Sequence, residues 1–242
     1  MANPRIPYRM AHEQPRLPPM EGKRILVHLV VNVEHWQFDH AMPRTIITPP
    51  HGRETVPDVP NFSWADYGMR AGMTRMLNEI AGRNLPASTH VEGGEEALVR
   101  ACLAKIDAFT GRKTRGWLSP GLRETVDTPD ILKACGLDYV CDWVVDDVPN
   151  WMQTKSGPLL AMPYNVEIND SIIYAIERHA SGEMLRRLEL TLHQFEVECA
   201  DTVRVLALGL HPHLIAVPHR VHELQKMIAL LASHPKVLFT TG

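Results

Sequence analysis

The sequence lacks several features that would assign it to a functional class at once. Its four cysteines form no CxxC pair, so neither a zinc knuckle nor a disulfide framework is indicated. Its lysines and arginines form no basic block and its formal net charge is −3. The sequence therefore does not indicate the basic surface that nucleic-acid-binding proteins use. No apolar run approaches the roughly 18 residues that span a bilayer, and the N-terminus has no apolar signal segment. We therefore expect a cytoplasmic protein that binds neither nucleic acid nor membrane.

What the chain does contain is typical of a globular domain. Hydrophobic residues make up 45% of its 242 residues and charged residues 22%, which is enough apolar material for a substantial core. Residues 1–22 are rich in proline and arginine, and we expect them to form an arm that is either loosely ordered or wrapped over the body or a partner subunit. No internal repeat or clear linker divides the rest, so residues 23–242 are predicted to be one domain.

Helical and strand patterns alternate along that domain. Apolar runs predict strands at Lys23–Glu34, at NLPAS, TRGWL, DYVCDWVV, PLLAMPY and RVLALGLH, and at KVLFTTG. Predicted helices begin at Ser63 with Asp66 in the capping box, at Glu95, at Thr128 as the cap, at Ser181 and near Pro218. Leu77 and Phe109 are placed on the apolar faces of the first two helices. This alternation predicts an α/β fold with a parallel sheet, either open or closed into a barrel.

Polar and aromatic residues gather just after five of the predicted strands. The carboxyl ends of parallel strands lie on one face, and that face holds the active site in such folds. We therefore expect an enzymatic or ligand-binding site built from these groups. They are Asn32, Glu34, His35 and Trp36; Arg115, Trp117 and Ser119; Asp142, Asp146 and Asp147; Asn165, Glu167, Asn169 and Asp170; and His211 with His213.

Each group also has a purely structural interpretation. Glu34 could be a solvated loop carboxylate, and Cys141 is better explained as core than as nucleophile. Asp142 lies inside an apolar strand and needs a partner if it is buried. Arg115 is the obvious candidate for that partner. Such an ion pair could orient the groups of a site, or it could serve only to compensate the charge of a buried aspartate. His213 is expected to be solvated or to support its loop, whereas His211 stands at the strand end itself.

Five motifs in this order resemble the polysaccharide deacetylase superfamily, which has the NodB-homology fold. They are VNVEHW, RGWLSPGL, DYVCDWVVDDVP, MPYNVEIND and HPHLIAVPHR. Within that superfamily the chain is most similar to the branch that contains the metal-independent allantoinases. The resemblance implies a distorted (β/α) barrel that hydrolyses a non-peptide C–N bond. It also implies that Arg115 orients a catalytic carboxylate and that His211 donates a proton to the leaving group.

The sequence departs from this family pattern at two places. Asn32 and Glu34 stand where the deacetylases have an aspartate base and an aspartate metal ligand, so one carboxylate remains. The two-histidine motif is missing together with about one βα unit, between the NLPAS strand and the EEALVR helix. Such a gap leaves an edge that the arm or a second subunit could cover, and we expect a homo-oligomer.

The predicted chemistry is hydrolysis of a small amide or cyclic ureide. Glu34 is expected to act as base with a pKa raised by nearby tryptophans, and His211 as acid. Backbone N–H groups near LSPG are expected to hold the oxyanion. Arg115 and Asp142 complete the predicted catalytic set. The predicted substrate-binding residues are His35, Trp36, Trp117, Ser119, Asp147, Glu167, Asn169 and His213.

Two alternatives stay open at this point. No cofactor and no metal ligands are predicted, but zinc is possible, and with it a metal-dependent N-deacetylase of an acetylated sugar. The missing βα unit favours the other alternative, a non-catalytic relative that binds a ureide or a sugar without hydrolysing it.

Overall fold

The fold is described from a computed structural model. It describes residues 3–49, 52, 55–85, 88–90 and 96–241, except for the side chains of residues 88–90, 97 and 98. The strands are β1 (Ile25–Asn32), β2 (Ser88–His90), β3 (Gly116–Trp117), β4 (Tyr139–Val140), β5 (Asn150–Met152), β6 (Leu159–Ala161), β7 (Arg204–Leu210) and β8 (Val237–Thr240). The helices are α1 (Val59–Tyr67), α2 (Met73–Ala81), α3 (Glu96–Thr110), α4 (Thr128–Ala134), α5 (Glu183–Glu198) and α6 (Val221–Ser233). Single π-helical turns occupy Gly68–Gly72 and Ser171–Ile176.

Strand β1 is the centre of the first sheet. All eight of its residues are buried, as expected for a continuous apolar strand covered on both faces. It pairs in parallel with β7 from Ile25 opposite Arg204 to Val31 opposite Leu210. The two strands therefore run side by side and end together, which confirms the strands predicted at Lys23–Glu34 and RVLALGLH.

The other edge of β1 is shared by two short strands. β8 pairs in parallel with Ile25–His28, and β2 pairs in parallel with the last residues, Val30 to Asn32. Strands β3, β4, β6 and β5 form a separate sheet in that order, with β5 antiparallel to β6. An α/β fold with mainly parallel strands is thus confirmed. The backbone pairing of the described residues runs in two four-stranded sheets and does not close a barrel.

The first helical segment begins earlier than predicted. Asp58 caps α1 by accepting a hydrogen bond from the backbone N–H of Asn61, so the proposed start at Ser63 is wrong. A π-helical turn joins α1 to α2, and the apolar face of α2 buries Met76 and Ile80. Leu77, in contrast, is exposed.

Three further details of the secondary structure differ from the prediction. Phe109 is 93% exposed, and Val99 fills the core position of α3 instead. Asp127 is the cap residue of α4 and Thr128 its first residue, so the predicted cap is off by one position. Strand β5 and the π-helical turn at Ser171–Ile176 were not predicted, because runs this short carry no periodicity.

The N-terminal segment lies against the body of the domain. Ile6 is buried beside the core of the second sheet. Arg5 forms a bidentate ion pair with Asp130, with N···O distances of 3.0 and 2.9 Å, and it also donates to the backbone carbonyl of Gln153. In the part of the chain that is described, no helix is long and apolar enough to cross a membrane.

Candidate active site

Glu34 and His211 lie together because the strands before them end together. Val31 is opposite Leu210 in the β1–β7 register, so the residues that follow each strand emerge at the same edge. Nε2 of His211 is 3.5 Å from a carboxylate oxygen of Glu34. That distance suits an ion pair but is long for a strong hydrogen bond. The two side chains are therefore close enough to interact directly.

Asp170 holds the other side of the His211 ring. The chain before it bridges to β7 at Asn169 opposite Gly209, which brings Asp170 beside His211. One carboxylate oxygen lies 2.6 Å from Nδ1 of His211, and the other accepts the backbone N–H groups of His211 and Ile215. Asp170 has no exposed surface. Because Nδ1 must donate to this carboxylate, Nε2 is the nitrogen directed towards Glu34.

The two carboxylates keep His211 in its charged form. Burial alone would lower the pKa of His211, but the charges and hydrogen bonds of Asp170 and Glu34 outweigh it and raise the pKa to about 9. For Glu34, burial raises the pKa, yet the hydrogen bond to His211 and the nearby positive charges lower it overall. The predicted upward shift of the Glu34 pKa is therefore wrong. The resting state at neutral pH is a carboxylate beside an imidazolium.

A cavity of about 550 Å³ opens onto this pair. Its polar lining includes Asn32, Glu34, Arg44, Tyr164, Asn169 and His211. The second carboxylate oxygen of Glu34 is buried and has no hydrogen-bond partner among the described residues. A buried acceptor without a partner is costly unless a ligand or a water satisfies it, so this oxygen keeps an unused capacity to accept a hydrogen bond.

Aromatic rings pack against the loop that carries His211. The ring of His213 lies edge-on to Trp64 and to Trp36, with centroid separations of 4.4 and 6.4 Å. Burial lowers the pKa of His213 to about 4, so this histidine is neutral. His213 is thus a buried packing residue and is not solvated. Trp36 is buried as well, and it lines the cavity.

A second group of acidic residues lies behind the cavity wall. Both carboxylate oxygens of Asp142 accept the backbone N–H of Ser119, whose side chain accepts a hydrogen bond from the indole of Trp117. The N–H of Ser119 is therefore engaged by Asp142, so this one member of the LSPG segment is not available to an oxyanion. Burial and a hydrogen bond to Asp142 raise the pKa of Glu124 to about 8.

Arg115 is not at the site. It forms an ion pair with Asp138 at 2.7 Å, and both side chains are largely exposed. The predicted pairing of Arg115 with Asp142 is therefore wrong. The reason is positional, since Arg115 precedes β3 and lies at its amino end, whereas Ser119 follows the strand and lies at the cavity.

Three other predicted binding residues also lie apart from the cavity. Asp147 and Glu167 border a separate cavity of about 410 Å³. The backbone carbonyl of Asp147 accepts from Val205 near the start of β7, at the end of that strand opposite to His211. His35 is exposed. Asn169, in contrast, is buried and lines the cavity beside His211.

The described side chains do not form a metal site. No three His, Cys, Asp or Glu side chains among them converge on a point that could hold an ion. His211 has one ring nitrogen engaged by Asp170 and directs the other at Glu34. His90, which adjoins the predicted gap, has no described side chain. The residues that are described therefore do not fit the deacetylase metal centre.

Sequence reasoning assigned no role to Asp170, Arg44 or Tyr164. Asp170 stands in the polar cluster after the PLLAMPY strand, where capping of the following helix is an equally good explanation of an aspartate. Arg44 stands in a long loop without periodicity, and its side chain reaches the hydroxyl of Ser171 from there. Only the fold brings these three side chains to the cavity or to His211.

The fold is that of the NodB-like polysaccharide deacetylases. A probable polysaccharide deacetylase from Pseudomonas aeruginosa PAO1 superposes with a TM-score of 0.76 and 22% identity, covering 91% of this chain and 89% of that one. Puue allantoinase superposes with a TM-score of 0.78 and 21% identity, covering 95% and 91% of the two chains. A candidate polysaccharide deacetylase from Mycobacterium smegmatis gives a TM-score of 0.69 and 18% identity, covering 93% and 92%.

These likenesses establish the fold and leave the branch open. No protein-family model matches the chain, and no curated protein sequence matches it. One fold can host many activities, so function has to be argued from the site.

Proposed function

We propose that this protein hydrolyses a non-peptide C–N bond in a small amide or cyclic ureide. The observation that carries the proposal is the contact series Glu34–His211–Asp170 at the wall of the cavity. It supplies a carboxylate acceptor, a charged imidazole donor and a buried carboxylate that fixes the ring. Hydrolysis of an amide needs a group that takes a proton from water and a group that protonates the leaving nitrogen.

Glu34 takes the proton from the attacking water. Its second carboxylate oxygen is buried and has no hydrogen-bond partner among the described residues, so its accepting capacity is unused. The lowered pKa keeps Glu34 ionised at neutral pH, ready to accept. As the water oxygen bonds to the carbonyl carbon, one of its protons passes to Glu34 and the carbonyl π electrons move to oxygen.

His211 then protonates the leaving nitrogen. Its ring is charged below about pH 9, and Asp170 holds Nδ1 so that the labile proton is the one on Nε2. When the tetrahedral intermediate collapses, the C–N bond breaks and Nε2 gives its proton to the nitrogen. A linear amide yields a carboxylate and an amine, whereas a cyclic ureide opens to a ureido acid. Glu34 then passes the proton that it took from water to Nε2 of His211, 3.5 Å away, which restores the carboxylate and the imidazolium.

The structural relatives support the class of reaction but not the substrate. They include proteins named as polysaccharide deacetylases and as an allantoinase, and both names denote hydrolysis of C–N bonds. Allantoin, other cyclic amides and N-acetylated sugars are the candidate substrates, in that order. The cavity of about 550 Å³ suits a small molecule.

A hydrolysis screen over these three substrate classes tests the proposal. We expect the wild type to turn over a member of one class and His211→Ala to be inactive on it. His222→Ala is the matched control, because that histidine is exposed on α6 and does not line the cavity. Binding of a ureide or a sugar without turnover would favour the non-catalytic alternative and contradict this proposal.

A further inference from the structure

The hydroxyl of Tyr164 has an unusual hydrogen-bond environment. Its oxygen accepts the side-chain amide N–H of Asn32 at 3.2 Å and that of Asn169 at 3.1 Å. Tyr164 is only 3% exposed, and both asparagines are buried beside it. A phenolic oxygen has two lone pairs and one proton, so two donated hydrogen bonds occupy its whole accepting capacity.

The orientation of both amides is fixed by their other contacts. The side-chain oxygen of Asn169 accepts the backbone N–H of Ser171 at 2.9 Å, which leaves its NH₂ group to face Tyr164. The NH₂ group of Asn32 also donates to the backbone carbonyl of Leu210 at 3.4 Å. Neither amide can turn its oxygen to the phenol without losing a partner. The hydroxyl proton is therefore directed away from both asparagines.

The hydroxyl proton of Tyr164 forms no hydrogen bond within the described part of the chain. No described acceptor takes it, and the two oxygens of the nearby Asp170 are already engaged by His211 and Ile215. Burial raises the pKa of Tyr164, so the hydroxyl stays protonated. Tyr164, Asn32 and Asn169 all line the cavity that holds Glu34 and His211. The remaining direction for the O–H bond is into that cavity.

Gly209 makes this placement possible. A Cβ atom at that position of β7 would lie 2.6 Å from the hydroxyl oxygen of Tyr164 and 2.3 Å from the amide nitrogen of Asn169. Such distances are shorter than any real contact of a Cβ atom, so only glycine lets the phenol and the amide rest against the strand. The arrangement is therefore built by three separate segments, β1, β7 and the segment after β6.

We propose that Tyr164 donates the hydrogen bond that stabilises the oxyanion in amide hydrolysis. This role rests on the proposed function. As water adds to the carbonyl, negative charge develops on the carbonyl oxygen, and the phenol donates to it without giving up its proton. Collapse of the intermediate restores the C=O bond, and the leaving nitrogen takes its proton from His211. Tyr164 thus takes the place predicted for the backbone of the LSPG segment.

Kinetics of Tyr164→Phe on the substrate found in the screen test this role. Loss of one oxyanion donor lowers kcat about 10²- to 10³-fold, and we expect KM to stay within about threefold because the donor acts mainly in the transition state. Tyr174→Phe is the matched control. The hydroxyl of Tyr174 donates to the backbone carbonyl of Ser181 at 2.6 Å, so that variant also loses one hydrogen bond from a buried ring, but outside the cavity.

An isosteric replacement covers the case in which Tyr164→Phe folds poorly. With 3-fluorotyrosine at position 164 the phenol keeps its shape and becomes a stronger donor, so kcat is expected to rise about twofold. The same replacement at position 174 should leave kcat unchanged. If Tyr164 has a purely structural role, 3-fluorotyrosine should have the same effect on kcat at position 164 as at position 174.

The outcomes separate the two proposals. If the wild type is active and His211→Ala is not, but changes at Tyr164 leave kcat unaltered, the oxyanion role is wrong and the hydrolase stands. If the wild type hydrolyses none of the three substrate classes, both are overturned.

Discussion

The carboxylate of Asp170 and the imidazole of His211 form a buried hydrogen bond of 2.6 Å at the carboxyl end of β7. The same carboxylate also accepts the backbone N–H groups of His211 and Ile215, so it fixes the loop as well as the ring. A fully buried carboxylate is tolerated only when its hydrogen bonds are satisfied in this way. The site therefore depends on a residue that touches His211 and not the substrate.

The first prediction concerns Asp170→Asn. An amide holds the ring less firmly and does not stabilise the imidazolium, so we expect kcat to fall about 10³-fold or more. The acid form of His211 is the active one, and its pKa is raised to about 9. Activity of the wild type should therefore decline as pH rises through about 9, and in Asp170→Asn this decline should begin at lower pH. A decline at the same pH in both proteins would show that Asp170 does not set the His211 pKa.

The second prediction concerns Arg115. Arg115→Met should leave kcat/KM within about twofold of the wild type, because surface ion pairs such as the one with Asp138 contribute little. Asp138→Asn, which breaks the same pair from the other side, should behave identically. A large loss of activity in Arg115→Met alone would restore the family role of orienting a catalytic carboxylate.

The third prediction concerns the stability contributed by Glu124. Burial and the hydrogen bond to Asp142 raise the pKa of this carboxyl to about 8, so the folded state holds a proton that the unfolded state releases near pH 4.5. This contribution is present below pH 4.5 and is lost as pH rises through about 8. Urea unfolding at pH 5 and at pH 9 should show a smaller decrease in stability for Glu124→Gln than for the wild type. An equal decrease in both proteins would mean that this carboxyl is ionised at neutral pH.

The fourth prediction concerns the close approach of the first helical segment to the His211 loop. A Cβ atom at Gly72 would lie 1.9 Å from the backbone oxygen of Pro212, so Gly72→Ala must displace one or the other. Overpacking of this kind costs about 1–3 kcal/mol and occasionally more, and the shift of the loop should reduce kcat as well. Gly182→Ala is the control, since nothing lies within 4 Å of a Cβ there. Equal stability of the two variants, measured by urea unfolding, would refute the close packing.

The central part of the fold could be predicted from the sequence, because long, mainly apolar runs leave few alternatives. Strands β1 and β7 have such runs, and their parallel pairing follows from the alternation with helices. It also follows that Glu34 and His211 lie at the same edge of the sheet, where β1 and β7 end. The short strands were predicted less well. With only two residues in β3, the sequence does not show that Arg115 lies at its amino end and Ser119 at the opposite one.

The rest of the site depends on contacts that no local pattern encodes. Asp170 reaches His211 through a single bridge between Asn169 and Gly209. The phenol of Tyr164 is oriented by two asparagines more than a hundred residues apart, Asn32 and Asn169. The pKa of Glu34 was predicted in the wrong direction because its nearest polar contact is an imidazolium and not a tryptophan.

The pH dependence of kcat/KM for the wild type, Glu34→Gln and His211→Ala on the best substrate of the screen tests the account most directly. We predict a bell-shaped profile for the wild type, with an acidic limb from Glu34 below its ordinary pKa and a basic limb from His211 near pH 9. Both variants should lose at least about 10²-fold in kcat/KM, and Glu34→Gln should lose the acidic limb. Unchanged turnover in Glu34→Gln, or a wild-type profile without a basic limb, would contradict the assignment of base and acid.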